Sequence, residues 1–266
     1  ICAYRDGTDF SIYMEEDGLI HAGSGLDQIT WMDVRVGEWV VTPRHGKPVE
    51  INALWYNALR IMEQLALHFE SAKAVKTTSD VLTSADFSAM AERTRTSFCE
   101  KFWDAAHGCL FDVVDGDEPD DHIRPNQIYA VSLPFGILPE EQERAVVDLV
   151  RRELYVGCGL RSLSTSHPDY HGIYCGALAK RDAAYHQGTA WGFLLGGFLS
   201  AYLKVNHHSP ESVKEALVML EPVKHHLFDN GCIGSISEIF DGDAPHNPRG
   251  CYAQAWSVGE VLRAYT

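Results

Sequence analysis

A chain of 266 residues, 45% of them hydrophobic, can bury a substantial core and sits near the upper size of one domain. Its formal net charge of -15 disfavours nucleic acid and anionic membrane surfaces, which need clustered Lys and Arg, and suits a neutral ligand better. No run of about eighteen apolar residues exists, residues 1–10 lack the form of a signal peptide, and the seven cysteines, without a C-x-x-C pair, read as reduced thiols; a cytoplasmic protein is expected.

In chain order, short hairpin strands are predicted at 10–14 and 19–22 around Glu16-Asp17-Gly18. A helix at 50–70 follows from Ile51, Leu54, Trp55, Ala58, Met62, Leu65 and Phe69, three and four residues apart on one apolar face. The same spacing of Phe87, Met90, Thr94, Phe98 and Phe102 predicts a helix at 84–105, with Thr83 and Asp86 as its capping box. A strand at 109–114, before the Asp115-Gly116 turn, precedes helices at 126–138, 140–154, 187–205, 210–228 and 252–265. The 187–205 helix carries Trp191, Leu194, Leu195, Phe198 and Tyr202 on one stripe, and Pro210 after Ser209 marks the start of the next. Seven helices punctuated by loops, with no internal repeat or linker, predict a single all-α domain over 1–266 with short β-hairpins in its loops.

The aperiodic stretches 23–49 and 231–250 are where binding chemistry is expected. Thr30-Trp31-Met32-Asp33 sets a carboxylate beside an indole, which fits sugar binding, since aromatic faces meet C–H groups and charged side chains meet hydroxyls; a surface loop whose indoles plug the core fits equally. In the second stretch Asp241-Gly242 reads as a turn and Asp243 as a solvated cap, while Glu238, between apolar neighbours, is the acid suited to catalysis. Arg124-Pro125-Asn126-Gln127 and Tyr185-His186-Gln187-Gly188-Thr189 precede apolar helices and are open to either sugar binding or helix capping. His207-His208 and His225-His226 lack metal-site spacing and read as solvated helix-end residues, and no phosphate-binding or nucleophile-elbow motif is present.

Together with TPRHGKPVEINALWYN at 42–57, Ser237-Glu238 and Gln254-Ala255-Trp256-Ser257, these motifs resemble, in order, those of the glucosidase domain of glycogen debranching enzymes. The resemblance implies an (α/α)6 toroid hydrolysing alpha-1,6-linked glucose at trimmed branch points of glycogen or limit dextrin, without metal or organic cofactor. It implies Asp33 as general acid, Glu238 as general base, and Trp31, Arg44, His45, Lys47, Glu50, Gln127, His186, Gln187 and Trp256 as residues of the sugar pocket. No Trp-Gly-Arg-Asp-like motif occurs, and Ala190-Trp191-Gly192-Phe193 stands where the family has Trp-Pro-Trp. The expectation is therefore the C-terminal part of a toroid, incomplete at its N-terminus, with a locally altered pocket. Two alternatives accompany it: another toroidal glycosidase of glucoamylase or trehalase type, or a carbohydrate-binding fragment without catalysis.

Overall fold

The computed structural model of the protein describes residues 1–71, 82–115 and 118–266. Among these, nine helices alternate with two-residue strands: α1 (Cys2–Asp6), α2 (Val49–Ser71), α3 (Ser84–Phe102), α4 (Tyr129–Ser132), α5 (Glu140–Glu153), α6 (Leu178–Tyr185), α7 (Leu194–Val205), α8 (Pro210–Asp229) and α9 (Ala255–Tyr265). Helix α3 starts where its sequence says, with the Thr83 side chain accepting from the Asp86 backbone and Asp86 answering the Thr83 backbone. Its face of Phe87, Ala91, Thr94, Phe98 and Phe102 is buried. It stops at Phe102, short of 105, because Trp103 is already extended and Trp103–Asp104 pairs with Cys109–Leu110. Helix α8 likewise begins with Pro210 behind a Ser209 cap.

Helix α7 is the centre of the fold. Leu194, Leu195, Phe198, Leu199, Ala201, Tyr202 and Val205 are all buried, so it is apolar around most of its circumference, Ser200 and Lys204 marking the polar side, and α4, α5, α8 and α9 pack on it. Fully burying one such Leu or Phe contributes roughly 1.5–3 kcal/mol. Gly196 is the contact that admits α9: a Cβ there would lie 2.8 Å from the Glu260 carbonyl oxygen.

Four expectations change. The 126–138 helix is only a 3-10 turn, Pro125–Ile128, followed by α4, since Leu133 precedes Pro134 and is held extended. The 187–205 helix starts at Leu194, because Ala190–Trp191 is a strand between Leu160–Arg161 and Ile239–Phe240, with Pro248–Arg249 completing a four-stranded sheet. The 10–14 strand shrinks to Tyr13–Met14, paired with Ile20–His21, because Phe10 and Ser11 have left-handed backbones. In 109–114, Val113–Val114 pairs separately with Lys47–Pro48, and Gly116 of the expected turn lies outside the described residues.

Helix α2 forms as expected but turns differently. Val49, Ala53, Tyr56 and Leu59 face the core with Trp55, while Leu54, Leu65 and Phe69 of the expected apolar stripe are exposed, as is Ile61. An apolar groove of about 390 Å³ runs beside this face, lined by Ile1, Tyr4, Ile12, Ile51, Leu54 and Trp55 among others. No described helix is long and apolar enough to cross a membrane.

Candidate active site

Trp31 anchors the first loop. Its indole N–H donates to Asn126 Oδ1 at 2.7 Å, and its ring meets His186, Trp191 and Phe193 edge-on at centroid distances of 5.3, 5.0 and 5.2 Å. Trp256, at the start of α9, stacks on Phe193 at 4.3 Å and continues the aromatic wall. Met32 is buried, which leaves Asp33 as the exposed tip of the loop. Loss of hydration nevertheless raises the Asp33 pKa above the ordinary carboxylate value, opposed by a hydrogen bond from its own backbone.

Glu238 is held from the other side. Its Oε2 accepts the Cys251 N–H at 3.0 Å, its Oε1 accepts the Gln254 amide at 3.2 Å, and its own N–H donates to Cys251 O at 2.8 Å. Gly250 has φ +66°, and a Cβ there would lie 2.4 Å from Glu238 Oε2, so the strap around the carboxylate needs glycine. The strand that follows Glu238 pairs with the one bearing Trp191, so both loops are fastened to one sheet. Tyr185, at the end of α6, has its pKa raised by burial, then by a hydrogen bond to Glu238, then by the charges of Glu238, Tyr174 and Asp33.

Of the sequence-nominated pocket residues, Trp31, His186 and Trp256 gather on this aromatic wall. Arg44 and Glu50 do not offer free polar atoms. The Arg44 guanidinium bridges Glu50, with Nη2–Oε2 at 2.6 Å, and Asp112, with Nε–Oδ2 at 2.6 Å, and all three side chains are buried. Asp112 Oδ1 in turn accepts from Asn126 Nδ2 at 2.7 Å, so this network orients the amide that holds Trp31. Gln127 is committed to the Leu110 N–H and the Arg124 carbonyl, and Gln187 Oε1 accepts from Arg124. His45 contacts the Asp27 carbonyl, and Lys47 pairs with Glu15 and Asp17 at the first hairpin.

Three acids and histidines outside that set also depart from expectation. His226 is buried, accepts the Ser237 N–H and meets Phe240 edge-on; it is no solvated helix end. Asp241 is fully buried, paired with Arg249 and accepting the Tyr174 N–H, and Asp243 accepts from the Tyr170 hydroxyl. Tyr185, Gln254 and Asp112 were not singled out as site residues. The first two lie inside motifs, whereas nothing local to Asp112 marks it. Away from the site, ligand atoms of Asp120, Asp121 and His122 lie within 4.8 Å of one another, but Asp120 and His122 already pair at 2.9 Å and so answer each other's charge.

His186 is fully buried, and neither ring nitrogen has a protein partner. Burial, then the nearby Arg124 and Arg44, hold its pKa well below the usual histidine value, so it is neutral in the folded protein. The unfolded chain takes up a proton below about pH 6.5 and the folded chain does not, so stability falls as pH falls, by about 1.4 kcal/mol per unit from this residue. Urea midpoints at pH 7 and pH 5 should separate more for the wild type than for His186→Gln; equal separations would contradict this account.

A mostly helical fold that presents carboxylates on its loops beside a wall of aromatic rings has the construction of a glycoside hydrolase. The sequence model of the family described as amylo-alpha-1,6-glucosidase matches residues 1–263, and the chain belongs to that family. It is 29% identical over 231 residues to the glycogen debranching enzyme of Saccharomyces cerevisiae, across 72% of this chain and 14% of that protein. Among solved structures it is similar to a neutral trehalase from Saccharomyces cerevisiae (TM-score 0.58, 15% identity, 83% of this chain and 38% of that one). It is also similar to a GH63 mannosylglycerate hydrolase from Thermus thermophilus in complex with glucose (TM-score 0.57, 16% identity, 82% and 47%). The chain thus spans less than half the length of each.

Proposed function

We propose that the chain carries the glucosidase chemistry of a debranching enzyme: inverting hydrolysis of alpha-1,6-linked glucose at glycogen branch points, with Asp33 as acid and Glu238 as base. What supports it is that carboxylates 238 - 33 = 205 positions apart lie on loops that meet at one sheet: Trp31, two residues before Asp33, packs on Trp191, whose strand pairs with Ile239–Phe240 after Glu238. The pKa of Asp33 is raised, which favours the protonated form that donates to the departing glycosidic oxygen. Glu238 is held by two N–H groups, which fix both carboxylate oxygens where one can take a proton from water on the other face of the sugar. As the C1–O bond breaks, the water oxygen bonds to C1 from the opposite side, and the alpha linkage yields beta-glucose. The pair is expected about 6.5–9.5 Å apart, to admit that water.

The exposed apolar face of α2 and its groove support a further part of the reading, in which these 266 residues are the C-terminal part of a larger (α/α)6 toroid acting on a cytoplasmic glucan. The test is to follow a phosphorylase limit dextrin by proton NMR. Beta-glucose should appear first and mutarotate later; alpha-glucose as the first product would exclude inversion. The similarity to a trehalase fold keeps one other reading in view, and comparison of isomaltose, maltose and trehalose as substrates decides it.

A further inference from the structure

Gln254 is the first residue of the C-terminal helix to meet the candidate site, and it does so with both ends of its amide. Its Oε1 accepts the Ala255 N–H at 3.0 Å, making it the N-cap of α9, and its backbone N–H donates to Ile236 O at 2.9 Å. With the amide oxygen so engaged, the orientation of the group is fixed, and only its NH2 remains for Glu238 Oε1. Cys251 N–H fixes the other carboxylate oxygen, and Gly250, lacking a Cβ, leaves room for it there.

We propose that Gln254 is the positioning residue of the base: it locks the rotamer of Glu238 and ties the aim of its carboxylate to the seating of α9. This rests on the reading of Glu238 as base. The other titratable groups around that carboxylate are Tyr185 at the end of α6, Tyr174 in the loop before α6, with Arg181 over its ring, and the neighbouring Cys251 thiol; Asp33 acts on the same Tyr185 phenol. Among these, Gln254 alone offers Oε1 a rigid donor that also caps a helix.

Gln254→Glu separates the two roles of the residue. The substituted side chain keeps an acceptor for Ala255 N–H, and its charge suits a helix N-terminus, so the cap survives. It loses the donor, however, and sets a negative charge against Glu238. In the full chain the acid limb of the kcat/KM profile should move up by at least about one pH unit, so that activity on the acid side falls roughly tenfold more than at pH 8, with an unchanged melting temperature. The carboxyl carbon-13 signal of Glu238, assigned by its loss in Glu238→Gln, should titrate at higher pH in the variant. A profile that scales down without shifting, or an unmoved Glu238 titration, would overturn the proposal. If Glu238→Gln itself keeps full turnover, the base assignment fails, while the carbon-13 titration still reads whether Gln254 holds the carboxylate.

Discussion

Asp33→Asn and Glu238→Gln are each expected to lower glucose release from limit dextrin by about 10²–10⁴-fold, with the melting temperature little changed. Asp33 is the exposed tip of its loop, and an amide in its place costs the fold little. Glu238→Gln keeps an acceptor for one N–H donor and meets Gln254 with a second amide, a local cost far smaller than the lost base. The two variants should part company on alpha-glucosyl fluoride, whose leaving group needs no proton. Asp33→Asn should recover much of its rate there, and Glu238→Gln should not. If either variant releases glucose at the wild-type rate, or if both respond alike to the fluoride, the roles are misassigned.

Arg44→Met should cost about 3–5 kcal/mol, because it strands the Glu50 and Asp112 carboxylates in a dry interior. Burial alone would lower the Arg44 pKa, but Asp112 and Glu50 outweigh it and raise it, so the cation is present at every working pH. Arg44→Lys should rescue little, since an ammonium cannot serve two carboxylates with a rigid fork. Replacing Arg44, Glu50 and Asp112 together by apolar residues should restore only part of the stability, since it removes both stranded carboxylates but leaves the buried Arg124, 3.9 Å from Asp112, without that counter-charge. Turnover should stay low in that triple variant, because Asn126 would lose the acceptor that aligns it for Trp31. Urea unfolding measures the first effect and initial rates the second; a loss below about 1 kcal/mol for Arg44→Met would mean that the network is not the support described.

The sequence made local structure readable where local terms decide it. Helix α3 declares its cap and apolar face within twenty residues, and α8 its Ser-Pro start. Residues 187–193 could not be read that way, because their strand is imposed by partners at 160–161 and 239–240. Helix α6 left no signal, with Ala184 its buried residue and Leu178 exposed. For α2 the periodicity was visible, but which apolar face meets the core depends on neighbours. In the site, motif resemblance brought forward Trp31, Asp33 and Glu238. It also brought forward Arg44, Glu50 and Gln127, since a charged or amide residue looks the same in sequence whether it meets a sugar or an internal partner. For Arg44 the deciding partner, Asp112, is 68 positions away.

The strap that holds Glu238 comes from residues 250–254, and this sets the order in which the chain acquires its chemistry as it is made. At about 5–20 residues per second, roughly 10–45 s of synthesis separate Asp33 from Gln254. Until residues 250–254 are made, neither the Cys251 N–H nor the Gln254 amide is there to fix the Glu238 carboxylate. A premature stop between Glu238 and Cys251 would accordingly remove both donors to the Glu238 carboxylate and, with them, the helix α9 that packs on α7.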